Sequence, residues 1–201
     1  MNKIKTIIII CIFLIYSCKS DSTNYKNFHF KEYDLKIKIP MNFNYINQQE
    51  IKKFYDLGTK TIKENGYESN IQQNNILFLK KGEFSSIVIK YNPINDEIAE
   101  DYKSQWRNLK KMTFDILQKE KMQESEIDST SRIEKINGID FYVFETNINL
   151  SDLNNNKATF KSIRYSTPLH RLDLVINIKY ANQVDEKDIL ETIESIKINK
   201  R

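Results

Sequence analysis

Glycine, proline, cysteine and histidine are all scarce in this 201-residue chain, with 4, 3, 2 and 2 copies respectively. Each shortage removes a class of chemistry. Gly58, Gly66, Gly82 and Gly138 stand far apart, so the chain holds neither a P-loop nor a dinucleotide fingerprint, both of which cluster glycines to bring backbone amides against phosphate. His29 and His170 have no ligand partner at helical spacing, and without such a pair no metal site is expected. His170 lies close to Ser166 and Thr167, yet no Gly-x-Ser-x-Gly elbow surrounds any serine, so a serine hydrolase has only that proximity behind it. Acid–base work needs carboxyls whose pKa is raised in a sheltered cleft. The paired acids Glu124/Glu126 and Asp185/Glu186/Asp188 fall in charged segments expected to be solvated. No catalytic residue, cofactor or metal is therefore expected, and the chain reads as a non-enzyme.

An excess of one charge is also missing. Lysine and arginine number 31 against 27 acids, for a net charge of +4, and the two signs alternate along most of the chain. A nucleic-acid binder gathers its positive charge on one face, so no nucleic-acid partner is expected. Long apolar runs are absent with one exception, TIIIICIFLIY at residues 6–16, which is about half the roughly 20 residues a membrane-crossing helix needs.

That run follows Met1-Asn2-Lys3-Ile4-Lys5, and a basic start before a short apolar core is the pattern of a secretory signal peptide. The next four residues, Ile15-Tyr16-Ser17-Cys18, resemble the lipobox of bacterial lipoproteins, which has an aliphatic residue, a variable one, a small one and a cysteine. Tyr16 is bulkier than the residue most members carry there. The resemblance implies a diacylglyceryl group on the Cys18 thiol, cleavage before it, and acylation of the new amino terminus. Two or more acyl chains hold a protein stably where one does so marginally. Residues 1–17 are thus expected to be a leader, and their loss would leave 184 residues and a net charge of +2, since Lys3 and Lys5 leave with them. Cys11 would leave too, and Cys18 would carry lipid, so the mature chain would have no thiol for a disulfide, a metal or a nucleophile.

Residues 18–27 are expected to form the lipidated cysteine and a polar tether, whose nine residues after Cys18 reach about 30 Å at most. KSDS, residues 19–22, resembles the lysine-plus-acid signal that some gram-negative lineages use for surface export, with one acid where that pattern carries two or more. The expected location is the bacterial cell envelope, lipid-anchored, with the outer membrane favoured over the inner and the domain facing the periplasm or the surface.

Residues 28–201 read as one α+β domain. Phe28-His29-Phe30 and Tyr33, Leu35, Ile37, Ile39 alternate at period two up to Pro40, with a phase slip that predicts a tight turn at Lys31-Glu32. Asn47 is placed to cap a helix to about Asn65, with Gly66 as its stop and Gly58 as a candidate break. Residues 76–80 and 85–91 predict a hairpin. The longest helical pattern runs from about Asp96 to Met122, with Ile98, Tyr102, Trp106, Leu109, Met112 and Ile116 on one stripe expected to pack on the sheet; Trp106 is read as ordinary core rather than as part of a ligand pocket.

Asn137-Gly138 is the strongest turn signal in the chain and joins a strand near Ser125–Ile136 to residues 139–148. That second strand is apolar on both faces and so expected to be covered on both. Residues 159–166 and 171–180 predict a third hairpin turning through Thr167-Pro168-Leu169-His170, with Arg164 and Arg171 at its flanks read as solvated rather than as an anion grip. Asp185 is a candidate N-cap for a helix to about Glu194, with Val184 and Ile189 at staple spacing, before a short final strand.

This order, from the strand ending in IKIP to a terminal helix running into ESIKI, resembles the Mog1/PsbP-like fold, in which an antiparallel sheet is sandwiched between helices. Members of that group are mostly adaptors, assembly factors or unassigned lipoproteins, so the resemblance implies a binding module with a protein partner in the envelope and assigns no site residues. A carrier of a small apolar ligand or lipid, held in a gap between helix 96–122 and the sheet, is the alternative. Cys18 is the one expected site, for lipid attachment.

Overall fold

The computed structural model describes residues 24–68, 75–120, 125–151, 157–169, 171–181 and 183–198. The leader, Cys18 with the start of the tether, Glu124 and His170 lie outside these residues. The elements run β1 (Tyr25–Phe30), β2 (Leu35–Pro40), β3 (Asn44–Tyr45), α1 (Gln48–Glu64), β4 (Asn75–Lys81), β5 (Ser85–Pro93), α2 (Asp96–Glu100), α3 (Tyr102–Glu120), β6 (Ser125–Ile136), β7 (Ile139–Ser151), β8 (Lys157–Leu169), β9 (Leu172–Tyr180), α4 (Gln183–Glu194) and β10 (Lys197–Ile198).

Seven strands form one antiparallel sheet in the order β3-β4-β5-β9-β8-β7-β6, and β1, β2 and β10 form a smaller one. The period-two pattern decides which face each residue meets. Ile87 and Ile89 of β5, Leu174, Ile176 and Ile178 of β9, and Phe141 and Val143 of β7 share one face, where they meet Leu35, Ile37 and Ile39 of β2 and Ile189 and Ile193 of α4. Each such side chain contributes about 1.5–3 kcal/mol when fully buried, so this layer is the main core. The other face lies beneath α1 and α3. It accounts for Phe144, which is buried although it points away from Phe141 and Val143. The α+β class and the covered sheet are as expected, with the small sheet joining α4 on the core side.

Local signals behaved as their chemistry requires. The Asn47 side chain accepts from the Glu50 amide at 2.9 Å, capping α1. Asn137 and Gly138 both take positive φ, 47° and 83°, the pairing a two-residue type I′ hairpin demands. The Asn137 amide also donates to the Ile196 and Glu194 carbonyls at 2.6 and 3.1 Å, tying this turn to the end of α4. A 3-10 turn at Lys31–Tyr33 absorbs the slip between β1 and β2, with Asp34 in the left-handed region at φ 51°.

Five expectations change. The tether ends before the expected residue 27, because Tyr25, Lys26 and Asn27 belong to β1 and pair with Pro40, Ile39 and Lys38. Gly58 does not interrupt α1, which is continuous from Gln48 to Glu64. The long helix divides at Asp101, whose φ and ψ of −105° and 28° leave the helical range; its carbonyl then accepts from the Ser104 and Gln105 amides at 3.0 and 3.1 Å, starting α3. Thr167-Pro168-Leu169 is strand rather than turn, in register with Leu174, Asp173 and Leu172. Pro168 sits near a strand end, where the lack of an N–H is tolerated. Asp185 lies inside the first turn of α4 rather than at its cap. Its buried carboxylate takes Lys81 Nζ at 2.5 Å and the Ser85 hydroxyl. Val184 falls in α4, but its side chain lies outside the description, so the proposed staple does too.

Candidate functional site

Strands covered on both faces leave little room for charge, yet the face beneath α1 and α3 carries Lys90, Asn92, Arg164, Ser166 and Asp173 from three adjacent strands. The registers bring them together: Lys90 pairs with Val175, Asn92 with Asp173, and Arg164 with Asn177. Asp173 is the hub. Tyr102 donates its hydroxyl to Asp173 Oδ1 at 2.5 Å, Asn92 donates to Oδ2 at 3.4 Å, and Arg164 Nη2 lies 3.6 Å from Oδ2. Arg164 Nε donates to Ser166 Oγ at 3.1 Å. Burial raises the Asp173 pKa, with Arg164, Tyr102 and Asn92 opposing it, and burial lowers that of Arg164 while Asp173 pulls it back. Desolvation penalises both ions, and the hydrogen bonds around them offset it. Arg164 is therefore not the solvated strand end expected of it, whereas Arg171 is, bonding the exposed Asp96.

The hub sets the position of α3. Tyr102 is the first residue of that helix, so its bond to Asp173 pins the helix start to the sheet. Its ring lies 5.2 Å from that of Tyr142, and Trp106, one turn on, lies 5.5 Å from the same ring. Trp106 is thus half-buried rather than core. It lines a groove of about 270 Å³ between α3 and β6.

From α3 come Lys103, Arg107 and Lys110, and from the sheet come Ser131, Ile133 and Tyr142. Lys110 Nζ lies 5.1 Å from the Trp106 ring centre and donates to Ser131 Oγ at 3.0 Å. Among the described residues none of these three cations forms an ion pair, while Arg132 nearby is neutralised by Glu134 and Glu145. The groove runs beside the free edge of the large sheet, since β6 pairs only with β7 among the described strands. Ile133 on that edge is 60% exposed.

The other residues singled out above separate. Ser166 is fully buried and accepts from Arg164, which keeps its hydroxyl from a substrate; His170 lies outside the described residues. His29 Nε2 stands 4.0 Å from Asp34 Oδ1. Asp185 and Asp188 are buried rather than solvated, and Glu186 accepts from Lys161 and Tyr180, with the Lys161 bond the main cause of its lowered pKa. Among the described residues no three histidines, cysteines or acids gather as a metal site, and no described helix is long and apolar enough to cross a membrane.

Sequence reading missed both the hub and the groove. The register of the β8–β9 hairpin, once its turn is set after Leu169, puts Arg164, Ser166 and Asp173 on one face. Polar residues on a face that a helix must cover were the available signal.

No family model matches the sequence, and no curated protein is similar to it in sequence. Solved structures do resemble it. The cyanobacterial PsbP, CyanoP, of Synechocystis sp. PCC 6803 superposes with a TM-score of 0.55 at 9% identity, over 90% of this chain and 96% of that one. The Ran-binding protein Mog1p of Saccharomyces cerevisiae gives a TM-score of 0.42 at 12% identity, over 88% and 96% of the two chains. Identities this low speak to architecture alone, and the architecture is the Mog1/PsbP-like fold.

Proposed function

We propose that this chain is a non-enzymatic binding module, held at a bacterial envelope membrane by lipid on Cys18, whose α3–β6 groove takes an acidic, extended segment of a protein partner. One observation carries the partner reading: around Trp106, Lys103, Arg107 and Lys110 make no ion pair among the described residues, beside a 12-residue strand that pairs on one side only among the described strands. An open edge offers backbone hydrogen bonds to an added strand. The unpaired cations supply sign selectivity and steering. Tryptophan and arginine are the residue types that most often dominate binding at such surfaces.

The test is recovery of partners from membranes with the anchor intact. Lys103→Glu/Arg107→Glu alters two exposed positions, where substitutions change stability by only about 0.5 kcal/mol each. It should reduce capture of the partner at least tenfold, and raising the salt concentration should weaken capture by the wild type. An unchanged set of captured proteins would contradict the groove reading. The anchor is tested separately: Cys18→Ala should abolish palmitate labelling and leave the precursor unprocessed or released from the membrane, and labelling that survives would overturn it. Fractionation of the labelled protein would then test the outer membrane against the inner.

A further inference from the structure

Three of the four glycines have a conformational reason to be glycine, with positive φ at Gly66, Gly82 and Gly138. Gly58 has none. It sits in the interior of a 17-residue helix, where glycine costs about 1 kcal/mol relative to alanine, and a Cβ built there meets nothing within 4 Å. Neither backbone nor crowding requires it. Removing a side chain here opens space: beside Gly58 lies a cavity of about 210 Å³ between α1 and the sheet, open to solvent on one side. Helix α1 covers it with Ile51, 8% exposed, as its one buried residue.

The walls are chemically divided. Phe54 from the helix and Phe78 and Val88 from the sheet are apolar, the two rings 5.5 Å apart. Lys90 and Asn177 are the polar end. The Lys90 side chain is partly buried and, among the described residues, makes no ion pair or hydrogen bond. It senses Arg164 and Asp173 at longer range. A cation held in a mostly apolar cavity without a counter-ion is costly to keep, and an anion brought in by a ligand would relieve that cost.

We infer that the cavity beside Gly58 binds a small amphipathic anion, its carboxylate on Lys90 and its short apolar body against Phe54, Phe78 and Val88. The volume limits the guest. At about 30 Å³ per water, the space holds roughly seven waters, which suits a molecule of fewer than about ten heavy atoms. It falls below the roughly 300 Å³ where sites for drug-sized molecules begin. The gap expected between helix 96–122 and the sheet is the cationic groove beside α3, and the mostly apolar cavity lies under α1. At neutral pH the Lys90 ammonium, although lowered to about 8 by burial, stays mostly charged, as the site needs. This cavity is separate from the α3–β6 groove, and either can fail without the other.

Hexanoate is the probe, with hexanol as its uncharged counterpart. Calorimetric titration of the purified protein should show saturable hexanoate binding, with hexanol at least tenfold weaker. Gly58→Leu, which fills the cavity while improving helix propensity, should weaken hexanoate at least tenfold with the fold intact by circular dichroism. Lys90→Met should weaken hexanoate tenfold or more and bring it level with hexanol. Absence of saturable hexanoate binding to the wild type, equal binding of hexanol, or undiminished binding in either variant would overturn the site.

Discussion

Lys90→Met should make the protein more stable at pH 7, by roughly 2 kcal/mol. Burial first, then the charge of Arg164, lowers the Lys90 pKa from 10.5 to about 8, with Asp173 opposing. That difference corresponds to about 3 kcal/mol borne by the folded state wherever the amine is charged in both states. The cavity is partly open to water, which reduces the cost actually felt. Methionine keeps the length and apolar stem of lysine and removes the ion.

The sign can be followed through pH. Below about 8 both folded and unfolded chains hold the proton, and the penalty is fully present. From about 8 upward the folded chain releases it first, so wild-type stability should rise until about 10. Lys179 on β9 is also lowered by burial, but its side chain stays exposed, so Lys90→Met should lose most of this rise and not all. Above about 10 both proteins should weaken. Burial raises the pKa of Tyr91, Tyr102 and Tyr180, so the unfolded chain ionises before the folded one. Urea denaturation at pH 7, 9 and 11 measures all of this. A variant less stable than wild type at pH 7, or one with the same rise between pH 7 and 9, would contradict it.

Asp173→Ala should cost about 3–4 kcal/mol. The substitution leaves Arg164 as a half-buried charge without its partner and takes the acceptor from Tyr102 and Asn92, and stranding one member of a buried pair typically costs 3–5 kcal/mol. Asp173→Asn keeps an oxygen for Tyr102 and should lose about half as much. Because Tyr102 begins α3, the loss should concentrate in that helix. Amide exchange across Tyr102–Glu120 should quicken more than exchange in β2 or α4. Equal protection loss throughout the domain, or a cost under about 1 kcal/mol, would show that the hub does not hold the helix.

Much of the fold was legible wherever one short segment carries its own instruction. Asn137-Gly138 permits little but a tight hairpin, Asn47 supplies the acceptor α1 needs, and alternation in β2 and β7 sets which residues reach the core. The misreadings have different causes. Asp185 answers to partners distant in sequence, Lys81 and Ser85, whereas the break at Asp101 follows its own backbone geometry and Thr167-Pro168-Leu169 pair with the neighbouring Leu172 to Leu174. The candidate sites were less legible still. Trp106 fits an apolar stripe, and nothing near it in sequence shows that Tyr142 and the edge of β6 leave it facing a groove. Gly58 reads as a helix break because local propensity carries no information about the cavity beside it. The lipobox resemblance is of another kind, resting on the linear order of Ile15 to Cys18 and on no folded contact.

The central claim is that partners engage the α3–β6 groove, and cross-linking at a single residue tests it most directly. A photo-reactive amino acid at Ile133, exposed at the lip of the groove, should join one envelope protein through an acidic segment in intact cells. Lys103→Glu/Arg107→Glu should abolish that product. The same probe at Leu190, 45% exposed on α4 across the sheet, should give none. A product at Leu190 equal to that at Ile133, no product at Ile133, or one indifferent to the charge reversal would contradict the account.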